Sequence, residues 1–188
     1  LEIENEDGPR PLRSLEHTWG LPNLSYGEWQ QVGIGNDLLR ATLILATEAS
    51  SAGAFAMIEH PGEPTWAPNA VSIWRTQLIR FLTVQLEADL INFDQCMAGA
   101  PSKKPTGLLA INFPQLRKSI RALPSTGWCN HRKHAAVLRG KDPVTGLWRT
   151  APAKQYPSGM CEKIAEGAAE YVIEVVCQES PGTFDDAE

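Results

Sequence analysis

Three short apolar runs constrain the fold of this chain more than any other feature of its sequence. They occupy residues 54–58, 90–93 and 107–113 and are separated by turn-forming or charged residues. Runs of about four to eight apolar residues are typical of strands buried in a sheet, whereas buried helices need about ten or more. The first run ends just before Glu59 and is predicted to be a parallel strand. The loop between the other two is rich in glycine, proline and lysine, which favours a long hairpin.

Helical segments lie between and after these runs. Apolar residues recur at helical spacing in 30–50, 72–86 and 158–177, and a short helix is expected over 114–123 because proline is tolerated in a first turn. Helices and strands in this order predict a layered α/β sheet with flanking helices. In such sheets ligands bind beyond the carboxyl ends of the strands, so Glu59 becomes the first candidate site residue.

The sequence divides into an extended lead-in over 1–25, one domain over 26–178 and an acidic tail over 179–188. Charged residues interrupt the best candidate for a membrane span, 71–91, and the acidic N-terminus does not look like a secretory signal. An intracellular protein, nuclear or cytoplasmic, with reduced thiols is therefore expected. Because the chain starts at Leu1 rather than Met, it is expected to be cut from a longer polypeptide.

The net charge of −5 conceals a strongly basic segment. Residues 103–154 contain eleven Lys or Arg side chains and a single acid, Asp142, so the segment carries +10 and the remainder of the chain carries −15. Clustered charge of one sign predicts an anionic partner, either DNA or another polyanion. The alternative is a solvated basic surface that pairs with the acidic remainder.

Three motifs in a fixed order resemble those of one enzyme family. Residues 56–61 read Ala-Met-Ile-Glu-His-Pro, where the family has an apolar strand ending in Glu-Asn-Val or Glu-Asn-Pro. Residues 99–113 are similar to its Gly-x-Pro-x-Lys-x-x-Arg loop and apolar strand, with the Lys-Pro-Thr triplet of divergent phage and transposon-associated relatives. Residues 156–165 resemble its last helix. On these motifs, most of 20–170 resembles the second half of the catalytic domain of DNA cytosine-5 methyltransferases.

The resemblance implies a partial Rossmann-like sheet, of the class I methyltransferase type, with flanking helices and a C-terminal β-hairpin. It implies that the complete parent transfers a methyl group from S-adenosylmethionine to cytosine in DNA, through attack of a cysteine thiolate on the ring. Glu59 matches the family's glutamate that holds and protonates the ring nitrogen, a task that suits a carboxyl group whose pKa is raised by an apolar pocket. The alternative for Glu59 is a structural carboxylate that caps a helix or forms a salt bridge.

The resemblance also implies contacts with nucleic acid. Lys103 and Lys104 match basic positions that touch DNA phosphate and the flipped base. Thr106 stands where the family usually has arginine, and threonine cannot reproduce bidentate recognition of a base. Outside the resemblance, Arg132 and Lys133 are expected to contact phosphate because of their charge.

Two parts of the methyl-transfer machinery are missing from the sequence. No cysteine precedes Glu59, and one alignment places residues 22–23, Pro-Asn, at the family's Pro-Cys, which implies an inactive enzyme. The favoured alignment places the cysteine just upstream of Leu1, because related sequences carry Pro-Cys before a stretch like 8–13. The glycine-rich loop for the methyl donor is also missing, since 33–36 precedes a helix but follows no strand. The fragment alone is therefore predicted to be inactive and to hold no S-adenosylmethionine.

A competing cluster lies in the basic segment. Cys129, His131 and His134 place a thiol and two imidazoles, which zinc favours, within six residues. A fourth ligand could come from Cys96 or Cys161, but the spacing is not that of a standard zinc finger. The favoured interpretation is a phosphate-contacting loop whose folding requires no metal. The second functional hypothesis is a noncatalytic nucleic-acid-binding module of a mobile-element protein, with zinc as an optional stabiliser.

Overall fold

The computed structural model describes residues 10–65 and 70–179. The predicted mixture of helices and strands is confirmed. The longer elements are α1 (Tyr26–Ser51), β1 (Ala56–Pro61), α2 (Gln77–Gln85), β2 (Asp89–Asp94), β3 (Pro105–Ile111), α3 (Pro114–Arg121) and α4 (Ser158–Glu179). Single 3₁₀ turns span Ile73–Arg75, Gln95–Ala98, Pro124–Gly127 and Pro152–Lys154. The predicted lead-in up to residue 9 and the acidic tail from residue 180 onwards lie outside the described residues.

The described strands form one antiparallel sheet in the order β1-β3-β2. The hairpin predicted over the second and third apolar runs is confirmed as β2 and β3. The prediction that β1 is parallel is wrong, because Glu59 in β1 lies opposite Leu108 in an antiparallel ladder with β3. The physical reason is that β3 returns from the hairpin, inserts between the two earlier strands and runs against both. The parallel-sheet argument for a ligand site at the end of β1 therefore no longer applies.

Side-chain caps set the helix starts. Ser25 accepts a hydrogen bond from the Glu28 amide, and the Glu28 carboxylate accepts one from the Ser25 amide, so a capping box starts α1 before the apolar pattern does. The predicted single helix over 72–86 is divided, because Thr76 takes an extended conformation and its hydroxyl caps α2. Within the described part of the chain, no helix combines the length and apolar character needed to cross a bilayer.

The sheet is covered on both faces, because alternate residues of each strand enter different cores. On one face, Ile91 and Leu108 pack with α3 and α4. On the other face, Ile58 and Leu109 pack with α1 and α2. Every β3 residue from 106 to 111 is buried, which explains why β3 reads as an unbroken apolar run.

Trp74 belongs to the core shared with α1 and α2. It is only 7% exposed, and its indole lies against Gly107, where an added Cβ would come within 2.8 Å of the ring. Its Nε1 donates a hydrogen bond to the Pro61 carbonyl at 2.9 Å. Trp74 therefore has a packing role, and any larger residue at 107 would displace it.

The segment between α3 and α4 is largely irregular. Residues 128–156, called the connecting segment below, consist of turns, bends, a short 3₁₀ turn and an isolated bridge, and none of their side chains is buried. A stretch of this length without buried apolar groups needs other restraints to keep one conformation.

Candidate metal centre and basic surface

The end of β2 positions Cys96. Asp94 closes the strand, and the 3₁₀ turn that follows is buried over its whole length. The Gln95 side chain donates to the Thr106 hydroxyl at 2.9 Å, and the Gln95 amide donates to the Lys104 carbonyl at 3.0 Å. These bonds attach the turn to the start of β3, so the Cys96 thiol has a defined place beside the sheet.

A close backbone approach brings Cys129 to the same place. The 3₁₀ turn before it ends at Gly127, whose φ of 88° favours glycine. An added Cβ at Gly127 would come within 2.9 Å of the Phe93 Cβ, so only glycine lets this turn lie against β2. The Cys129 amide then donates to the Asp94 carboxylate at 3.0 Å.

Four metal-ligating side chains meet here. The candidate ligand atoms of Cys96, Cys129, His131 and His134 all lie within 4.8 Å of one another. The Cys129 Sγ is 3.6 Å from Nδ1 of His131 and 3.2 Å from Nε2 of His134. A tetrahedral zinc ion, with Zn–S of about 2.3 Å and Zn–N of about 2.0–2.1 Å, holds its sulfur and nitrogen ligands about 3.5 Å apart. The cluster therefore has the dimensions of a Cys₂His₂ site.

Cys96 is the fourth candidate ligand, which the local sequence cluster lacks. Between the two candidates named from the sequence, the structure brings in Cys96 and leaves Cys161 exposed on α4 and outside the cluster. Cys96 lies 33 residues before Cys129, and the packing of the Gly127 turn on β2, together with the bond from the Cys129 amide to Asp94, brings them together. The structure therefore places a fourth candidate ligand beside the three that cluster in the sequence.

The surroundings of the Cys96 thiol disfavour its negatively charged form unless a cation is present. Burial raises the pKa of Cys96, and its interaction with the neighbouring Cys129 thiol raises that pKa further. A divalent cation reverses this preference, because it binds the thiolate form. Four protein ligands leave no open coordination position, so the arrangement suits a structural ion rather than a catalytic one.

Three of the basic residues predicted to bind nucleic acid lie at the surface near this cluster. Arg132 and Lys133 are exposed and stand between the two histidines in sequence. The Lys103 side chain is 51% exposed, and its Nζ lies 3.7 Å from Oδ2 of Asp94. Asp94 also accepts the hydrogen bond from the Cys129 amide, so Lys103 lies beside the carboxylate that anchors the start of the loop.

Lys104 and Thr106, by contrast, make contacts that hold the fold together. Lys104 donates to the Ala153 carbonyl at 3.0 Å, and its Nζ lies 5.7 Å from the centre of the Tyr156 ring. It therefore attaches the connecting segment to the hairpin. Thr106 is 1% exposed, and its hydroxyl accepts the hydrogen bond from Gln95. The Thr106 side chain has almost no surface to offer a base in this conformation.

Glu59 lies within β1 rather than beyond its end. Its Oε2 accepts a hydrogen bond from the Tyr156 hydroxyl at 2.8 Å. Burial raises the pKa of Tyr156 to about 12, with a further contribution from Glu59. The other oxygen of Glu59, Oε1, is buried without a hydrogen-bond partner among the described residues. Among the described residues Glu59 neither caps a helix nor forms an ion pair. The structural role suggested for it as an alternative is therefore replaced by a hydrogen bond to Tyr156.

Sequence reasoning did not single out Asp94 or Tyr156. Asp94 is 3% exposed. Its position directly after an apolar run is the sequence feature that could have indicated a buried carboxylate. No sequence pattern could indicate the role of Tyr156, because its hydrogen-bond partner Glu59 lies far away along the chain. Both residues attach the connecting segment to the sheet.

Comparison with known protein families, with curated proteins and with solved structures finds no match for this chain. Function is therefore inferred from the residues of the site.

Proposed function

We propose that the chain is a nucleic-acid-binding module whose contact surface is the connecting segment together with the β2–β3 loop. The observation that carries the proposal is the exposure of Arg132 and Lys133 on a loop that is held at both ends. At one end Asp94 binds the amide of Cys129, and at the other the Ala136 amide donates to a carbonyl of the β2–β3 loop at 2.9 Å. A restrained cationic loop loses little conformational entropy when it binds phosphate.

Positive charge is less compensated on this surface than on α3. On α3, Arg117 pairs with Asp89 and Lys118 pairs with Glu170. The exposed basic side chains of the proposed surface are Lys103, Arg132, Lys133, Arg139, Lys141, Arg149 and Lys154. Clustered charge of this kind attracts a polyanion and makes its affinity depend strongly on salt.

Exposed aromatic rings among these cations favour nucleic acid over other polyanions. Trp128 is 50% exposed and Trp148 is 43% exposed. The guanidinium of Arg121 lies 5.8 Å from the Trp128 ring centre, and Nζ of Lys141 lies 5.2 Å from that of Trp148. Trp128 and Lys103 also line one groove of about 330 Å³. Rings can stack on bases while cations contact phosphates, and a polyanion without bases cannot use both.

Fluorescence anisotropy with a labelled DNA duplex and with one of its single strands, at several salt concentrations, tests the proposal. For the duplex we expect the logarithm of the binding constant to fall with the logarithm of salt by about 0.9 per phosphate contacted. The double variant Arg132→Glu/Lys133→Glu should reduce that slope by about two, because two phosphate contacts are lost. Trp128→Ala should weaken binding of the single strand more than binding of the duplex.

Arg80→Glu is the matched control, since Arg80 is an exposed cation on α2, outside the connecting segment. It should leave both affinity and salt slope unchanged within error. Binding that does not respond to salt, or an equal loss in the control and the double variant, would contradict the proposal.

A second candidate function is the one that the motif resemblance implies. In that version the chain is part of a Rossmann-like, class I methyltransferase-like domain, and its complete parent uses S-adenosylmethionine to methylate cytosine in DNA. Oε1 of Glu59, which is buried and has no hydrogen-bond partner among the described residues, favours it, because a buried acceptor normally has such a partner. The exocyclic amine of a flipped cytosine would supply such a donor.

A methyl-transfer assay with radiolabelled S-adenosylmethionine tests this candidate. The chain of 188 residues alone should transfer no methyl group, because it has no cysteine before Glu59. In a longer parent with an upstream Pro-Cys, Glu59→Gln should reduce transfer by about 10²–10⁴-fold while DNA affinity stays nearly unchanged. Full activity of that variant would reduce Glu59 to a structural residue, and transfer by the isolated chain would refute the need for an upstream cysteine.

A further inference from the structure

We propose that Cys96, Cys129, His131 and His134 bind one structural Zn²⁺ ion, which holds the connecting segment against the sheet. The inference goes beyond nucleic-acid binding and does not depend on it. It reverses the expectation, drawn from three clustered ligands alone, that folding requires no metal.

The ligand chemistry selects zinc. Two thiolates and two imidazoles form a common structural zinc set, and the two thiolate charges neutralise the ion. The separations of the Cys129 sulfur from the two imidazole nitrogens, 3.2 Å and 3.6 Å, bracket the value of about 3.5 Å expected for tetrahedral coordination. Mg²⁺ and Ca²⁺ prefer oxygen ligands, which this set does not contain.

Half of the site is positioned by the fold before any ion is bound. Cys96 lies on a buried turn that Gln95 attaches to β3. Cys129 is held by the bond from its amide to Asp94. The ion therefore has to order only His131 and His134, so little entropy is lost at the moment of binding.

The connecting segment has a physical need for such an ion. None of the side chains in 128–156 is buried, so burial of apolar area does little to offset the entropy lost on ordering the segment. Metal ligation is the usual source of stability for short segments that lack a hydrophobic core. An ion shared between Cys96 and the loop joins the segment to the buried turn that follows β2.

Metal analysis of the full chain, purified under reducing conditions without a metal-chelating tag, tests the proposal. We expect about one Zn²⁺ per chain, and substitution by Co²⁺ should give the intense visible absorption of a tetrahedral thiolate site. Cys96→Ser and His134→Ala should each weaken Zn²⁺ affinity by more than about 100-fold, the upper range for loss of an outer-sphere partner. Cys161→Ser is the matched control, because Cys161 is exposed and outside the cluster, and this variant should keep its ion.

Hydrogen exchange shows whether the ion is structural. Removal of the metal from the wild-type chain should speed amide exchange in 128–136 by at least about 10-fold, leave the strands protected, and be reversed by added Zn²⁺. This measurement does not depend on whether the ligand variants fold. Reduced protein that binds no Zn²⁺, an equal loss of the ion in Cys161→Ser, or unchanged exchange after metal removal would each overturn the proposal.

Discussion

The sheet and the connecting segment are stabilised by different kinds of interaction. The central strand β3 is buried on both faces, with Leu108 and Leu109 fully inaccessible to solvent. The connecting segment has no buried side chain and is attached by a few directed polar contacts, among them the bonds from the Cys129 amide to Asp94 and from Tyr156 to Glu59. Damage to the sheet should therefore unfold the whole chain, whereas damage to the attachments should release the segment locally.

The largest effect is expected in the sheet. Leu108→Ala removes a fully buried side chain from the middle of β3 and should lower the free energy of unfolding by about 2–5 kcal/mol, because of lost burial and the cavity left behind. Val144→Ala, at a residue of the connecting segment that is 90% exposed, should change it by less than about 0.5 kcal/mol. Urea unfolding of both variants is the measurement, and similar losses would erase the distinction between the two regions.

The next effect concerns the anchor between the two regions. Asp94→Ala leaves the Cys129 amide without its acceptor, and loss of a buried hydrogen bond to a charged group should cost about 1–3 kcal/mol. Amide exchange should accelerate in 128–136 more than in β1 or β3. Asp94→Asn keeps an acceptor oxygen and should be milder. Uniform acceleration over the whole chain would mean that the anchor and the sheet unfold as one unit.

Tyr156→Phe should have a smaller effect, about 0.5–1.5 kcal/mol, because it removes one hydrogen bond at a half-exposed position. The pKa of Tyr156 is raised from 10.0 to about 12, so above pH 10 the unfolded chain loses this proton more readily than the folded chain. Stability from this bond should be complete below pH about 10 and lost as pH rises towards about 12. Thermal unfolding across that range should show the alkaline loss in the wild type and a weaker one in the variant. Equal alkaline loss in both would show that the hydroxyl is not responsible.

The smallest effect is expected at the capping box of α1. The Arg10 side chain, and then the Ser25 amide, lower the pKa of Glu28 from 4.5 to about 2. A lowered carboxyl pKa contributes stability above the unfolded value and loses it as pH falls through the folded value. The melting temperature of Glu28→Gln should therefore fall less steeply than that of the wild type between pH about 4.5 and about 2. Asp37→Asn, at another exposed acid on α1, is the control and should keep the wild-type slope.

The order of helices and strands could be predicted from the sequence because its causes are local. The hairpin follows from two apolar runs and a loop of turn residues. The start of α1 was misplaced by four residues, at Gln30 instead of Tyr26, because the capping box at Ser25 acts before the apolar pattern begins.

The direction of β1 and the fourth metal-ligating residue could not be predicted, because both depend on contacts between distant segments. β1 is antiparallel because β3 inserts beside it, which no periodicity within residues 54–58 can reveal. Cys96 meets Cys129 through contacts between distant segments, the packing of Gly127 against Phe93 and the bond from the Cys129 amide to Asp94. The motif resemblance drew attention to Glu59. The spacing of the motifs along the sequence could not show, however, that Tyr156 is the hydrogen-bond partner of Glu59.

The strand order also sets a sequence of events during protein synthesis. β1 leaves the ribosome before β3, its sole sheet partner among the described strands. Until β3 emerges, the nascent chain exposes an unpaired strand edge beside the apolar side of α1, and aggregation competes with folding. The β2–β3 hairpin closes a short loop and can form first, so its completion is the event that recruits β1. A pause in translation while β1 is outside the ribosome and β3 is still inside it prolongs the exposed interval, whereas a pause after β3 has emerged does not.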